Sequence, residues 1–146
     1  MKNLKVAALL FFATATISAQ DLKNSEVPSN LQSVFSKAYS NAKDIEWEKK
    51  GDHFKVEFEI NRMDHDVWYD AQGKVLKSKI KISKKELPSV VASAIKTKYP
   101  DYKIDSVEVQ EQNDIKSYEI EIEKGWNEER KLVIDSSGKI LRDIED

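Results

Sequence analysis

The chain has 146 residues, 24 of them basic and 26 acidic, a formal charge of −2, and no cysteine. A weakly acidic surface of mixed sign excludes a nucleic-acid binder of the usual kind, which shows a basic patch or stripe. The missing cysteines exclude disulfides, thiol chemistry and lipid attachment at a cysteine.

Met1 to Lys5 carries two lysines, Val6 to Ile17 is uncharged and apolar, and Ser18-Ala19-Gln20 supplies small residues. That order predicts a signal peptide over 1–19, cleaved after Ala19, and hence a periplasmic or secreted protein. An apolar stretch of this length is short of the roughly 20 residues a membrane-spanning helix needs, so no span is expected after cleavage. Cleavage removes Lys2 and Lys5, leaving 22 basic against 26 acidic residues and a charge of −4.

The remainder is a duplication. Val27 to Tyr39 matches Leu87 to Tyr99 at an offset of 60, Val56 to Ile60 matches Tyr118 to Ile122 at 62, and Val67 to Lys77 matches Leu132 to Arg142 at 65. The offset grows where loops would lengthen. Module 1 is placed at 20–82 and module 2 at 83–146.

Each module opens with a predicted helix, from Leu31, Val34, Phe35 and Ala38 in one and Val91, Ala94 and Ile95 in the other. Ser83-Lys84-Lys85-Glu86 has the pattern of a capping box ahead of the second helix, Pro88 suits a first turn, and Pro100 ends it. Ile45 and Trp47, sharing a side, suggest a following strand, as do Val107 and Val109. Phe54, Val56, Phe58 and Ile60 alternate with charged residues, as do Tyr118, Ile120 and Ile122, which is the period of a half-buried antiparallel strand. Asp70 to Gly73 and Asp135 to Gly138 read as hairpin turns. The expected class is α+β: two tandem modules, each one helix packed on an antiparallel sheet of about four strands.

The tandem Val27-Pro28 and Leu87-Pro88 starts, Tyr99-Pro100, and the Asp70–Lys74 and Asp135–Lys139 hairpins resemble the PepSY-like, beta-lactamase-inhibitor-like proteins of bacterial envelopes. The resemblance covers essentially the whole mature chain. Beta-lactamase inhibitory proteins are also tandem helix-on-sheet modules whose sheet clasps an enzyme, and related PepSY domains hold proteases inactive within propeptides. The resemblance therefore implies a partner among extracytoplasmic proteins. Those inhibitors use disulfides and inserted loops, and this chain departs from them in having no cysteine.

Catalysis has little to stand on. His53 and His65 lie only in module 1, no flanking pattern announces a nucleophile and base, and glycine-rich phosphate loops are missing. His53 and His65 read as strand-end or turn residues. Asp64-His65-Asp66 reads as a solvated hairpin turn, since alternation would turn His65 away from both aspartates, and no metal site is expected. No enzyme activity and no cofactor are expected.

The surface is more informative. Lys77, Lys79 and Lys81 share one side of a strand, and Glu57 with Glu59, like Glu119, Glu121 and Glu123, stand opposite their apolar neighbours. These ladders suit either a solvated sheet face or an electrostatic docking face. Trp47 is expected in the core, Trp68 on the outer sheet face, opposite Val67 and Tyr69 and beside Asp66 and Asp70, and Trp126 after Gly125 at a hairpin turn. The candidate contact residues are Trp68, Trp126, Glu57, Glu59, Lys77, Lys79 and Lys81, in a non-catalytic module that binds, and so inhibits or sequesters, an extracytoplasmic protein. The alternative is a small-ligand or metal-ion carrier using the cleft between modules.

Overall fold

The computed structural model describes residues 20–145; the expected signal peptide, 1–19, lies outside the described residues. Among the described residues there are two α-helices and nine strands: β1 (Gln20–Leu22), α1 (Ser29–Ala38), β2 (Lys43–Lys50), β3 (His53–Ile60), β4 (Met63–Tyr69), β5 (Val75–Lys81), α2 (Ser89–Lys98), β6 (Lys103–Gln112), β7 (Ile115–Lys124), β8 (Glu128–Asp135) and β9 (Ile140–Glu145). All nine strands form one antiparallel sheet in sequence order.

The sequence leaves open how the module sheets of about four strands each are arranged, and here they join edge to edge: one continuous nine-stranded sheet serves both. The join is β5 to β6, paired from Lys77 with Gln112 to Lys81 with Glu108. The repeat explains it. β1 pairs Leu22 with Trp47, and at an offset of 60 the Ile82 N–H donates to the Val107 carbonyl at 2.9 Å. Leu22 packs on the first core and Ile82 on the second. The end of β5 thus does for module 2 what the short strand β1, which sequence reading missed, does for module 1.

Both cores lie on the same face of the sheet, each with nine buried hydrophobic residues. The first is aromatic: Phe35 on α1 meets Trp47 edge-on at 5.5 Å and Phe58 at 5.0 Å. The second is mainly aliphatic, built on Val91, Ile95, Ile120, Leu132 and Ile134. Trp47 is in the core as expected, but Ile45 is exposed, because a register shift between Lys43 and Glu46 breaks the alternation. The Ser83 capping box closes a single 3-10 turn, Lys84–Glu86, rather than α2. Pro88 stands at the N-cap of α2 with extended backbone, one position earlier than a first-turn proline.

The two hairpin turns follow the sequence closely. Asp70 Oδ1 accepts from the Gln72 and Lys74 amides, and Asp135 Oδ1 from those of Ser137 and Lys139. Gly138, at φ +88°, also lies under α2: a Cβ there would sit 3.0 Å from the Val90 carbonyl oxygen. At Gly73, φ +89°, the nearest atom would be Val34 Cγ2 at 3.2 Å, a side chain that can give way. Gly138→Ala is therefore expected to destabilise by about 1–3 kcal/mol, and by more than Gly73→Ala, in paired urea melts.

Candidate functional face

With both helices on one face, no described element covers the other, and that open face carries the residues the sequence singled out, Trp126 excepted. Alternation within each strand and the cross-strand register bring them together. One rung runs Glu48, Lys55, Trp68, Lys77, Gln112, and the next Glu57, Asp66, Lys79, Gln110.

Trp68 is half-buried in the middle of its rung, with Lys55 Nζ at 5.3 Å and Lys77 Nζ at 5.0 Å from its ring. Each ammonium sits within the range of a cation–π contact. Lys55, only 9% exposed, also pairs with Glu57 and, at 3.2 Å, with Asp66. Burial works against its charge, but hydrogen bonds to the two carboxylates outweigh it and hold its pKa above the usual lysine value. Burial lifts the Asp66 carboxyl, and Lys55 pulls it back only in part.

Lys79 reaches Glu119 at 2.9 Å and Glu108 at 3.2 Å, crossing the β5–β6 join. Burial again opposes the charge, and the two glutamates overcome it. Lys77 differs: burial, and then the neighbouring Lys79, lower its pKa. Its side chain lies over the indole of Trp68. Lys81 lies across from Glu108 at an exposed position, and Glu59 lies across from Asp64. Glu57 and Glu59 border an acidic concavity with Asp44, Glu46, Asp64 and Asp66.

Trp126 is not part of this cluster. It projects fully exposed between β7 and β8. The structure adds Lys55, Asp66 and Glu108 to the predicted set. The signal for Lys55 was in the sequence, since it directly opposes Trp68 once β3 and β4 are set in register.

Asp64-His65-Asp66 is the interior of β4, not a turn. His65 faces the helix side and stacks on Phe58 at 5.1 Å, while both aspartates face the open side. Burial lowers its pKa, with Asp64 and Asp66 opposing. Among the described residues no group of three or more His, Asp or Glu is placed to hold a metal ion. At the join, a polar groove of about 360 Å³ runs past Lys74 to Lys77, Glu111, Asn113 and Asp114.

The sequence profile of the family described as "Putative beta-lactamase-inhibitor-like, PepSY-like" matches twice, at residues 15–77 and 62–142. The chain belongs to this family. Three solved structures share the fold of this PepSY-like chain. A DUF2874 family protein from Bacteroides uniformis is 19% identical with a TM-score of 0.73, over 82% of this chain and 89% of its own. A protein from Bacteroides eggerthii described as "putative periplasmic" is 19% identical with a TM-score of 0.74, over 82% and 88%. A BLIP-like protein from Bacteroides fragilis is 23% identical with a TM-score of 0.68, over 81% and 85%. No curated protein matches the chain.

The two PepSY-like repeats have diverged on the helix side. In module 2, Asp143 on β9 accepts from Lys98 Nζ at 2.8 Å, from Arg130 Nε at 2.9 Å and from the Tyr99 hydroxyl. The matching positions of module 1 are Ser78, Ala38, His65 and Tyr39. The cluster ties the end of α2 to the edge strand. Partial burial alone would raise the Asp143 pKa, but the hydrogen bonds from Lys98, Tyr99 and Arg130 bring it down to about 2. A lowered carboxylate pKa stabilises the fold above the unfolded value, about 3.9, and that contribution is lost as pH falls towards the folded value. Asp143→Asn is expected to flatten the decline in stability below pH ~4 in acid titrations followed by circular dichroism.

Proposed function

We propose that the mature chain, residues 20–146, is an exported, non-catalytic binding module that holds an extracytoplasmic protein against the open face of its sheet and thereby inhibits or sequesters it. The observation that carries this reading is the uncovered face of a nine-stranded sheet on which Trp68 is set between two lysines. A large aromatic ring held in place beforehand is the kind of side chain that anchors protein interfaces. Around it, the Lys77, Lys79 and Lys81 stripe and the Glu57 and Glu59 border would set orientation and partner choice. Trp126 offers a second anchor from its hairpin.

Export is supported by the residue pattern ahead of Gln20 and by the periplasmic description of the Bacteroides eggerthii protein. Membership of a beta-lactamase-inhibitor-like family supports binding as the mode of action. The test is capture from envelope extract with residues 20–146 as bait, beside a Trp68→Ala/Lys79→Glu bait. The expected result is one stoichiometric protein held by the first and lost by the second. Equal retention by both baits, or no capture at low and moderate salt, would overturn the reading.

A further inference from the structure

Module 1 serves as an internal control for module 2, because helices and first strands superpose in sequence at an offset of 60. At one place the two differ in a concerted way. Beside α2, a groove of about 490 Å³ has an apolar wall of Ala92, Ile95, Tyr99, Tyr102 and Ile104. Lys84, Lys96 and Lys103 rim it, and no acidic residue lines it.

The corresponding place in module 1 is built from Asn24, Gln32, Ser36, Ala42 and Asp44 around Phe35, Tyr39 and Lys43. There the Gln32 side chain spans the space, donating to the Asn24 and Val27 carbonyls at 2.8 and 2.9 Å. Module 2 has lost that bridging side chain at Ala92 and an acid at Ile104. It has gained a ring at Tyr102 and cations at Lys84 and Lys96. Opening a wall, removing an anion, and adding an aromatic surface and positive charge all favour the same occupant.

We infer that this groove binds a small amphipathic carboxylate, with its apolar body against Ile95, Ile104 and the two tyrosine rings and its head group among the three lysines. Its volume is in the range of about 300–1,000 Å³ typical of small-molecule sites. The rings are set by their neighbours: Tyr99 and Tyr102 meet edge-on at 5.2 Å, and the Tyr102 hydroxyl donates to Glu128 at 3.1 Å. Two acids that contact these tyrosines are occupied. Glu128 holds Tyr102, and Asp143 is neutralised by Lys98 and Arg130. The site is on the helix side of the sheet, so it stands apart from the proposed protein-binding face.

The test is titration of isotope-labelled residues 20–146 with decanoate below its micelle-forming concentration, read by amide chemical shifts. Saturable shifts confined to Lys84, α2 and residues 99–104 are expected. Ala92→Gln, which installs the residue module 1 carries at the same helical position, is expected to raise the apparent Kd by about tenfold or more, as is Lys96→Glu/Lys103→Glu. Absence of shifts at millimolar decanoate, shifts scattered over the open face, or unchanged affinity in both variants would overturn the inference.

Discussion

Leu132→Ala is expected to lower the free energy of unfolding by about 2–5 kcal/mol, the range for deleting a buried leucine side chain and leaving a cavity. Leu132 is fully buried in the second core, and its β7 and β9 partners, Ile120 and Asp143, hold its strand in place. The probe of interest is in the other module. Trp47 is buried in the first core, Trp68 lies on module 1's part of the open face, and Trp126 is fully exposed. Tryptophan emission therefore reports chiefly on module 1. A module of about 60 residues is marginal by itself, and β5 is common to both. The loss in module 2 is thus expected to shift the tryptophan and far-ultraviolet transitions together, as one cooperative unit. A tryptophan midpoint unmoved by Leu132→Ala would show that the modules unfold independently despite the shared sheet.

Trp68→Ala is expected to weaken binding of the captured protein by about thirty-fold or more, since a large aromatic anchor of an interface contributes about 2 kcal/mol or more when truncated. The fold should tolerate the change, because the ring lies on the open face and contributes to neither core. Lys55 and Lys77 would lose a surface on which they lie, not a counter-ion, so little of the loss should be salt-dependent. Lys79→Glu acts otherwise. It puts a carboxylate among Glu108, Glu119 and Asp66, reversing the sign at the join, and its effect on binding should shrink as salt rises.

Much of this architecture was legible in the sequence because duplication repeats each signal. Two helices, the hairpin turns at Asp70 and Asp135, and the core-facing side of β3 and β7 all follow from local periodicity. What local pattern does not encode is how far pairing continues. β5 reads as the end of module 1, and only the match of Leu22 with Ile82 shows that it also begins module 2. Ile45 misleads because a bulge is a cross-strand event. The Ser83 box misleads because a 3-10 turn uses the same side-chain contacts as an α-helix start. Among the candidate contact residues, Trp68, Lys77 and Lys79 come together as alternation requires. Lys55 falls on the charged side of its strand's alternation, and only strand register shows that it lies opposite Trp68 and is buried. Trp126 stands apart, since no periodicity relates a turn residue to the sheet face.

The most direct measurement is the Kd of the captured protein for four forms of residues 20–146: unchanged, Trp68→Ala, Lys77→Glu and Lys37→Glu. The first two substitutions alter the open face, and the third makes the same charge change at an exposed position on α1. Binding through the open face predicts a loss of about thirty-fold for Trp68→Ala, a clear loss for Lys77→Glu, and a change within about twofold for Lys37→Glu. Full affinity in Trp68→Ala and Lys77→Glu, with loss in Lys37→Glu, would place the partner on the helices and contradict the account.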